Sequence, residues 1–190
     1  MAEIYIVRHP EVVQVSSYID LAPISNAGED QIRLAAGALK RTFIDQRPDV
    51  FYTASSIRSK TTAQMLAGLN GWSMPIVQTS AFDHTMKDDL GNVMRDSNGL
   101  AKIRDIDEVW QGLEHWKYAL GVNTTAVATM SKRAIEIFLQ DEYNLDTVEI
   151  NSQKGALNIP PGSLTAFTTG RRGQIQEVVY IGKNPAEIKV

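Results

Sequence analysis

The 190-residue chain contains no cysteine. Disulfide frameworks and thiolate-bound metals are excluded, while compartment stays open, because cytosolic and periplasmic chains alike do without cysteine. The chain also lacks any apolar run near the roughly 20 residues that a membrane-spanning helix needs. The opening MAEIYIVRH has an acid at Glu3 and too short an apolar stretch for a secretion signal. Charge of one sign is missing too. Lys and Arg number 19, Asp and Glu 22, and the net charge is -3. That balance speaks against a nucleic-acid or membrane-surface partner but leaves room for a small local basic pocket. There is no internal repeat, low-complexity tract or linker, and no His, Asp or Glu spacing that marks a metal site. What is present is 43% hydrophobic and 22% charged residues, enough for a packed core. The expectation is one cytoplasmic domain over 1–190 with no metal and no cofactor.

Residues 3–8 are a β-branched apolar run, read as a central strand that ends in Arg8 and His9. Residues 10–24 are irregular. Asn26, with Glu29 three positions on, matches a capping box, and Ile32, Ala35, Leu39 and Phe43 follow at helical spacing. Pro48 ends that helix, and 49–53 is a second strand. Ser55 or Ser56 caps a further helix that ends near Gly71. A third strand is expected in PIVQTSAF. Residues 83–105 are polar and without period, and 106–119 are helical, so 83–122 is read as a lid region. Thr124 or Thr125 opens another helix, with Val127, Met130, Ala134, Ile137 and Phe138 in phase. DTVEI (146–150) is a fourth strand. The tail forms two strands joined at Gly170–Gly173, a hairpin by its glycines. The pattern predicts an α/β domain with a mostly parallel sheet and a C-terminal antiparallel hairpin. The hairpin edge is available to pair with a second copy as a homodimer.

In such sheets ligands sit at the carboxyl ends of the strands. Arg8 and His9 end the first strand and Ser55–Arg58 follow the second, so both fall on that edge. A phosphomonoester needs a nucleophile, a cationic cradle and an acid for its leaving oxygen. His9 can attack through a neutral ring nitrogen. Arg8 and Arg58 offer guanidinium forks that match phosphoryl oxygens, and the helix after Ser56 adds backbone N–H groups.

At these residues the chain resembles the histidine phosphatases, the phosphoglycerate mutase-like superfamily. VRHP is similar to that family's Arg-His-Gly motif, with Pro10 where Gly is commoner. YTASSIRSKTTAQML (52–66) resembles its Ser-Ser-x-x-Arg-x-x-x-Thr-Ala segment, with Arg58, Thr62 and Ala63 in register. SYIDLAPISNAGEDQ (17–31) is similar to a stretch of α-ribazole phosphatase-like members, through Tyr18, Asp20, Pro23, Ser25, Gly28 and Gln31. The resemblance covers the first third of the chain and weakens after it. It implies a three-layer α/β/α fold and transfer through a phosphohistidine at His9. It also implies a carboxylic acid after the third strand, for which Asp83 is the positional match and Asp88 and Asp89 are fallbacks.

The same resemblance implies a second histidine after the fourth strand. Read there, EINSQKG (149–155) puts Gln153 in that place, as a phosphate-binding group that donates a hydrogen bond but carries no charge. Loss of one preorganised donor to developing charge costs about 10²–10³ in rate. The two remaining histidines are candidates to compensate, His84 beside the expected acid and His115 on a helix. One reading is thus a phosphomonoesterase for a small phosphorylated metabolite, with His9, Asp83 and His84 catalytic and Arg8, Arg58 and Gln153 holding phosphate. A second is a repurposed member of the fold that binds a phosphate- or carboxylate-bearing ligand without phosphoryl transfer. A third keeps an enzyme whose arginine pair holds a carboxylate or acyl group.

Overall fold

The computed structural model describes residues 1–13, 22–44, 46–89, 92–140 and 157–188. The elements run β1 (Ala2–Arg8), α1 (Asn26–Phe43), β2 (Val50–Thr53), α2 (Ile57–Asn70), β3 (Ile76–Gln78), α3 (Ile106–Ala119), β4 (Thr125–Met130), α4 (Lys132–Phe138), β5 (Leu164–Thr169) and β6 (Ile175–Lys183). The sheet order is β3-β2-β4-β1-β5-β6. β3, β2, β4 and β1 are mutually parallel, and β5 and β6 add an antiparallel extension. The α/β class and the hairpin stand as read from the sequence.

Alternation along β1 builds two cores. Ile4 and Ile6 face one side and pack with Val109 and Leu113 of α3 and Ile135 and Phe138 of α4. Val7 faces the other side and packs with Ile32 and Leu39 of α1 and Leu66 of α2. β4 divides likewise, with Ala126, Ala128 and Met130 on the first side and Val127 on the second. A strand between two helix layers buries both faces, so it shows no polar alternation.

That is why the sequence expectation for 124–138 needs correcting. Thr125–Met130 is a strand at the centre of the sheet, not the start of a helix, and only Lys132–Phe138 is helical. Val127 and Met130 matched a helical phase by coincidence, because a doubly buried strand of small residues carries no period of its own. The expected strand 146–150 lies outside the described residues.

The first-helix cap also moves by one residue. Ser25, not Asn26, is the N-cap: Gly28 N donates to Ser25 Oγ at 3.0 Å. Glu29 does not close a capping box. It pairs with Arg33 at 3.1 Å instead. Of the expected third strand only Ile76–Gln78 pairs, and a single 3-10 turn at Ser80–Phe82 follows.

The polar stretch after it is a small antiparallel meander, bridged at Thr85–Ile103, Lys87–Val93 and Arg95–Ala101. Helix α3, the rest of the expected lid, belongs to the core layer. Trp116 is buried there, with its ring edge-on to Phe82 at 4.8 Å and to Tyr52 at 5.6 Å. Among the described residues no helix is long and apolar enough to cross a membrane.

Candidate active site

The carboxyl edge of the parallel strands carries the chemistry. β1 and β4 run in register to Arg8 and Met130, and His9 N donates to Met130 O at 3.0 Å. One residue further along each strand come His9 and Ser131. On the other side of β1, Arg8 N donates to Ser163 O at 3.0 Å and Gly162 N to Arg8 O at 3.2 Å, which clamps the strand end between β4 and β5.

The chain beyond His9 is pinned by α1. Glu11 N donates to Gln31 Oε1 at 2.9 Å, and Ser25 N donates to Glu11 O at 3.2 Å. Gly28 allows this approach, because a Cβ there would lie 2.2 Å from Glu11 O. Ser25, Gly28 and Gln31, a loose pattern in the sequence, thus act together to hold the segment after His9 against α1.

His9 is buried, at 8% exposure. Its Nδ1 lies 3.2 Å from Pro10 O. A carbonyl only accepts, so Nδ1 carries the proton and Nε2 is left with its lone pair. Burial pushes the His9 pKa down to about 3, helped by Arg58; the Pro10 carbonyl pulls it up, and Arg8 and His84 add lesser downward pushes. The ring is therefore a neutral imidazole at physiological pH.

Ser56 caps α2, accepting Ser59 N at 3.2 Å, and Arg58 stands in the first turn. That turn holds no acid to neutralise the positive helix end. A buried chain of bonds fixes it to the sheet: Thr129 Oγ1 lies 2.8 Å from Thr53 Oγ1 and donates to Ser59 O at 3.0 Å.

These elements enclose a cavity of about 350 Å³ lined by His9, the 54–60 turn, Phe82–Thr85, Lys87, Asn92, Val93, Arg95 and Ser131. Arg58, Lys60, Lys87 and Arg95 are its cations, and Asp83 is the one acid among the described lining residues. A chain with net charge -3 thus keeps a basic pocket at its strand ends.

Arg8 is half-buried and is not among the residues that line the cavity. Its Nη1 donates to Ile159 O. Burial lowers its pKa from the usual arginine value, the buried Glu136 raises it and Arg58 lowers it, so the two guanidiniums feel each other. Arg8 Nε has no hydrogen-bond partner among the described residues.

Asp83 is buried and takes three donors: Ser55 N at 3.0 Å on Oδ1, and the Ser55 hydroxyl and Lys87 Nζ on Oδ2, the last at 3.4 Å. Lys87 also donates to Ser55 Oγ. His84 lines the cavity, with Nδ1 3.1 Å from Ser131 Oγ.

No family model and no curated protein matches the chain. Solved structures do. Phosphoserine phosphatase from Entamoeba histolytica, in complex with 3-phosphoglyceric acid, is similar at a TM-score of 0.63 and 15% identity, over 94% of this chain and 96% of that one. A mycobacterial glucosyl-3-phosphoglycerate phosphatase in complex with inorganic phosphate reaches a TM-score of 0.68 at 14% identity, over 96% of this chain and 98% of that one. The α-ribazole phosphatase from Shigella flexneri reaches 0.63 at 12% identity, over 90% and 92%.

The chain has the histidine phosphatase fold, the phosphoglycerate mutase-like one.

Within the histidine phosphatase fold of this chain, His9, Arg58, Asp83 and His84 converge on one cavity, and Arg8 is not on its lining but bonds to Ile159 O. Asp88 and Asp89 are exposed and off the lining, and His115 is exposed on α3. Gln153 lies outside the described residues. The fourth strand along the described chain is Thr125–Met130, and the residue it delivers to the cavity is Ser131. Sequence reasoning missed Ser131, together with Lys87, Asn92 and Arg95, and had Ser55 on this edge only as a candidate helix cap. For Ser131 a signal existed, since a Ser after an apolar run is a helix cap. For the meander residues there was none, because bridges between short polar segments leave no periodic trace.

Proposed function

We propose that the chain is a phosphomonoesterase acting on a small phosphorylated metabolite through a phosphohistidine at His9. The observation that carries this reading is the His9 ring, buried, neutral and held by Pro10 O so that its bare Nε2 is the nucleophilic nitrogen. Nε2 attacks phosphorus as the bond to the leaving oxygen breaks. Arg58 and the α2 N-terminus hold the phosphoryl oxygens, and Arg8 adds its positive charge from off the lining. The leaving oxygen takes a proton from one of two lining acids, Asp83 or His84. Water then attacks the phosphohistidine, losing its proton to the same acid, and inorganic phosphate leaves with Nε2 restored.

Arg58, Lys60, Lys87 and Arg95 around the cavity support an anionic substrate. The phosphatases named above share this fold and carry phosphorylated metabolites in their names, which supports the same class here. The reading takes the protein as cytoplasmic and working without a cofactor or nucleic acid, with β6, one edge of the sheet, as the strand that pairs with a second copy.

The test is phosphate release from p-nitrophenyl phosphate, with His9→Ala run beside the wild type. Release that disappears in His9→Ala supports the reading. Release unchanged in His9→Ala overturns it, and none from either protein, with phosphate bound, leaves the non-catalytic binding module as the function.

A further inference from the structure

We infer that the proton donor to the leaving group is His84, set in place by Ser131, and that Asp83 is a structural anchor. This rests on phosphoryl transfer at His9.

The argument starts from the end of β4. Met130 pairs with Arg8, so Ser131 and His9 are the next residues on two adjacent parallel strands. Ser131 is thus the β4 group nearest in register to the nucleophile, and its hydroxyl has no charge to give a phosphoryl group. It faces His84 Nδ1 at 3.1 Å instead. His84 arrives from the other side of the cavity, directly after the turn that follows β3. The edge therefore holds a second imidazole, supplied by a different strand end and tied to β4 by a side-chain bond.

The bond chooses which nitrogen reacts. Ser131 Oγ already accepts Ala134 N at 3.2 Å as the α4 cap, and a hydroxyl oxygen has a second lone pair. With Nδ1–H donating to that lone pair, His84 keeps the same contact as imidazolium and as neutral ring. Only Nε2 then changes protonation. In the first step Nε2–H passes its proton to the leaving oxygen as the phosphorus–oxygen bond breaks and the bond to His9 Nε2 forms. In the second step neutral Nε2 takes a proton from the attacking water while the phosphorus–nitrogen bond breaks. Each proton lent is returned, and no other reactant is needed.

Asp83 is occupied otherwise. All three groups on its carboxylate are donors, two of them from Ser55, and the Ser55 backbone leads into the cap of α2. A proton on Asp83 would take away the negative charge that these donors, the Lys87 ammonium among them, gather around. Its contacts are those of a residue that holds the 54–60 turn in place.

The experiment measures kcat/KM, which covers steps through phosphoenzyme formation, on dinitrophenyl, p-nitrophenyl and phenyl phosphate. The proteins are wild type, His84→Ala, His84→Gln, Ser131→Gly, Ser131→Thr and Asp83→Asn. A lost general acid matters only where the leaving group needs a proton, a dependence that a structural defect does not produce. His84→Ala and His84→Gln should lose roughly 10²–10⁴-fold on phenyl phosphate and less than about tenfold on dinitrophenyl phosphate. Ser131→Gly, which disturbs a helix cap little, should show the same slope more weakly, with Ser131→Thr restoring it. Asp83→Asn should lose activity equally on all three.

Phosphohistidine at His9 is followed separately, by mass spectrometry of wild type quenched with dinitrophenyl phosphate. Its absence overturns the His9 reading and this inference with it. Its presence, with an equal loss on all three substrates in both His84 variants or with the leaving-group slope found in Asp83→Asn, overturns the assignment to His84 alone.

Discussion

Ser55 gives both its backbone N–H and its hydroxyl to the carboxylate of Asp83, and Lys87 closes the same cluster from the meander. One carboxylate thereby joins the end of β2, the turn after β3 and the polar segment over the cavity. Asp83→Asn keeps an acceptor for Ser55 N but turns an amide toward the Ser55 hydroxyl and the Lys87 ammonium. The expected outcome is a loss of about 1–3 kcal/mol in stability by chemical denaturation.

Arg58→Ala and Arg8→Ala should both weaken binding of inorganic phosphate, measured by calorimetry. Arg58 lines the cavity and Arg8, off the lining, is close enough for the two guanidiniums to feel each other. Removing the Arg58 contact should raise the dissociation constant about tenfold or more, and removing the Arg8 charge, which acts from off the lining, should raise it less. Unchanged affinity in both variants would show that the anion sits elsewhere.

Acid should destabilise the fold through His9. Its folded pKa of about 3 lies below the ordinary histidine value of 6.5, the cause being first burial and then Arg58. Between these two values the unfolded chain binds the proton and the folded chain does not. Stability from this group is therefore complete above pH 6.5 and falls as pH drops toward 3. Denaturation midpoints at pH 7 and pH 4.5 should move further apart in wild type than in His9→Asn, by up to roughly 2 kcal/mol.

Gly28→Ala should destabilise more than a helical Gly→Ala change elsewhere. The new Cβ meets Glu11 O at 2.2 Å, a backbone atom that cannot rotate away. A loss of roughly 1–3 kcal/mol is expected, visible as a lowered Tm, where Gly68→Ala, with nothing within 4 Å, serves as the control.

Arg8 and His9 were legible because they stand at the very end of β1, and Arg58 because only a short turn separates β2 from α2, so sequence position fixes their place at the strand ends. The cap at Ser25 and the strand at 125–130 were less legible, each for a local reason. A Ser-Asn pair offers two caps one residue apart. A strand of small residues buried on both faces loses the alternation that names it. His84 was visible only as a neighbour of Asp83. Its contact joins residues 47 apart in the chain, a relation that no periodicity encodes.

β1 is the first strand of the chain, yet its neighbours come late. It pairs on one side with Thr125–Met130 and on the other with Leu164–Thr169. A growing chain therefore exposes Arg8 and His9 long before any partner strand exists to seat them. Contacts so distant in sequence close slowly, because the loop entropy comes due before the pairing repays it. His9 is synthesised well before the two strands that flank β1, so phosphate-binding competence should arrive only when the β5 segment has left the ribosome.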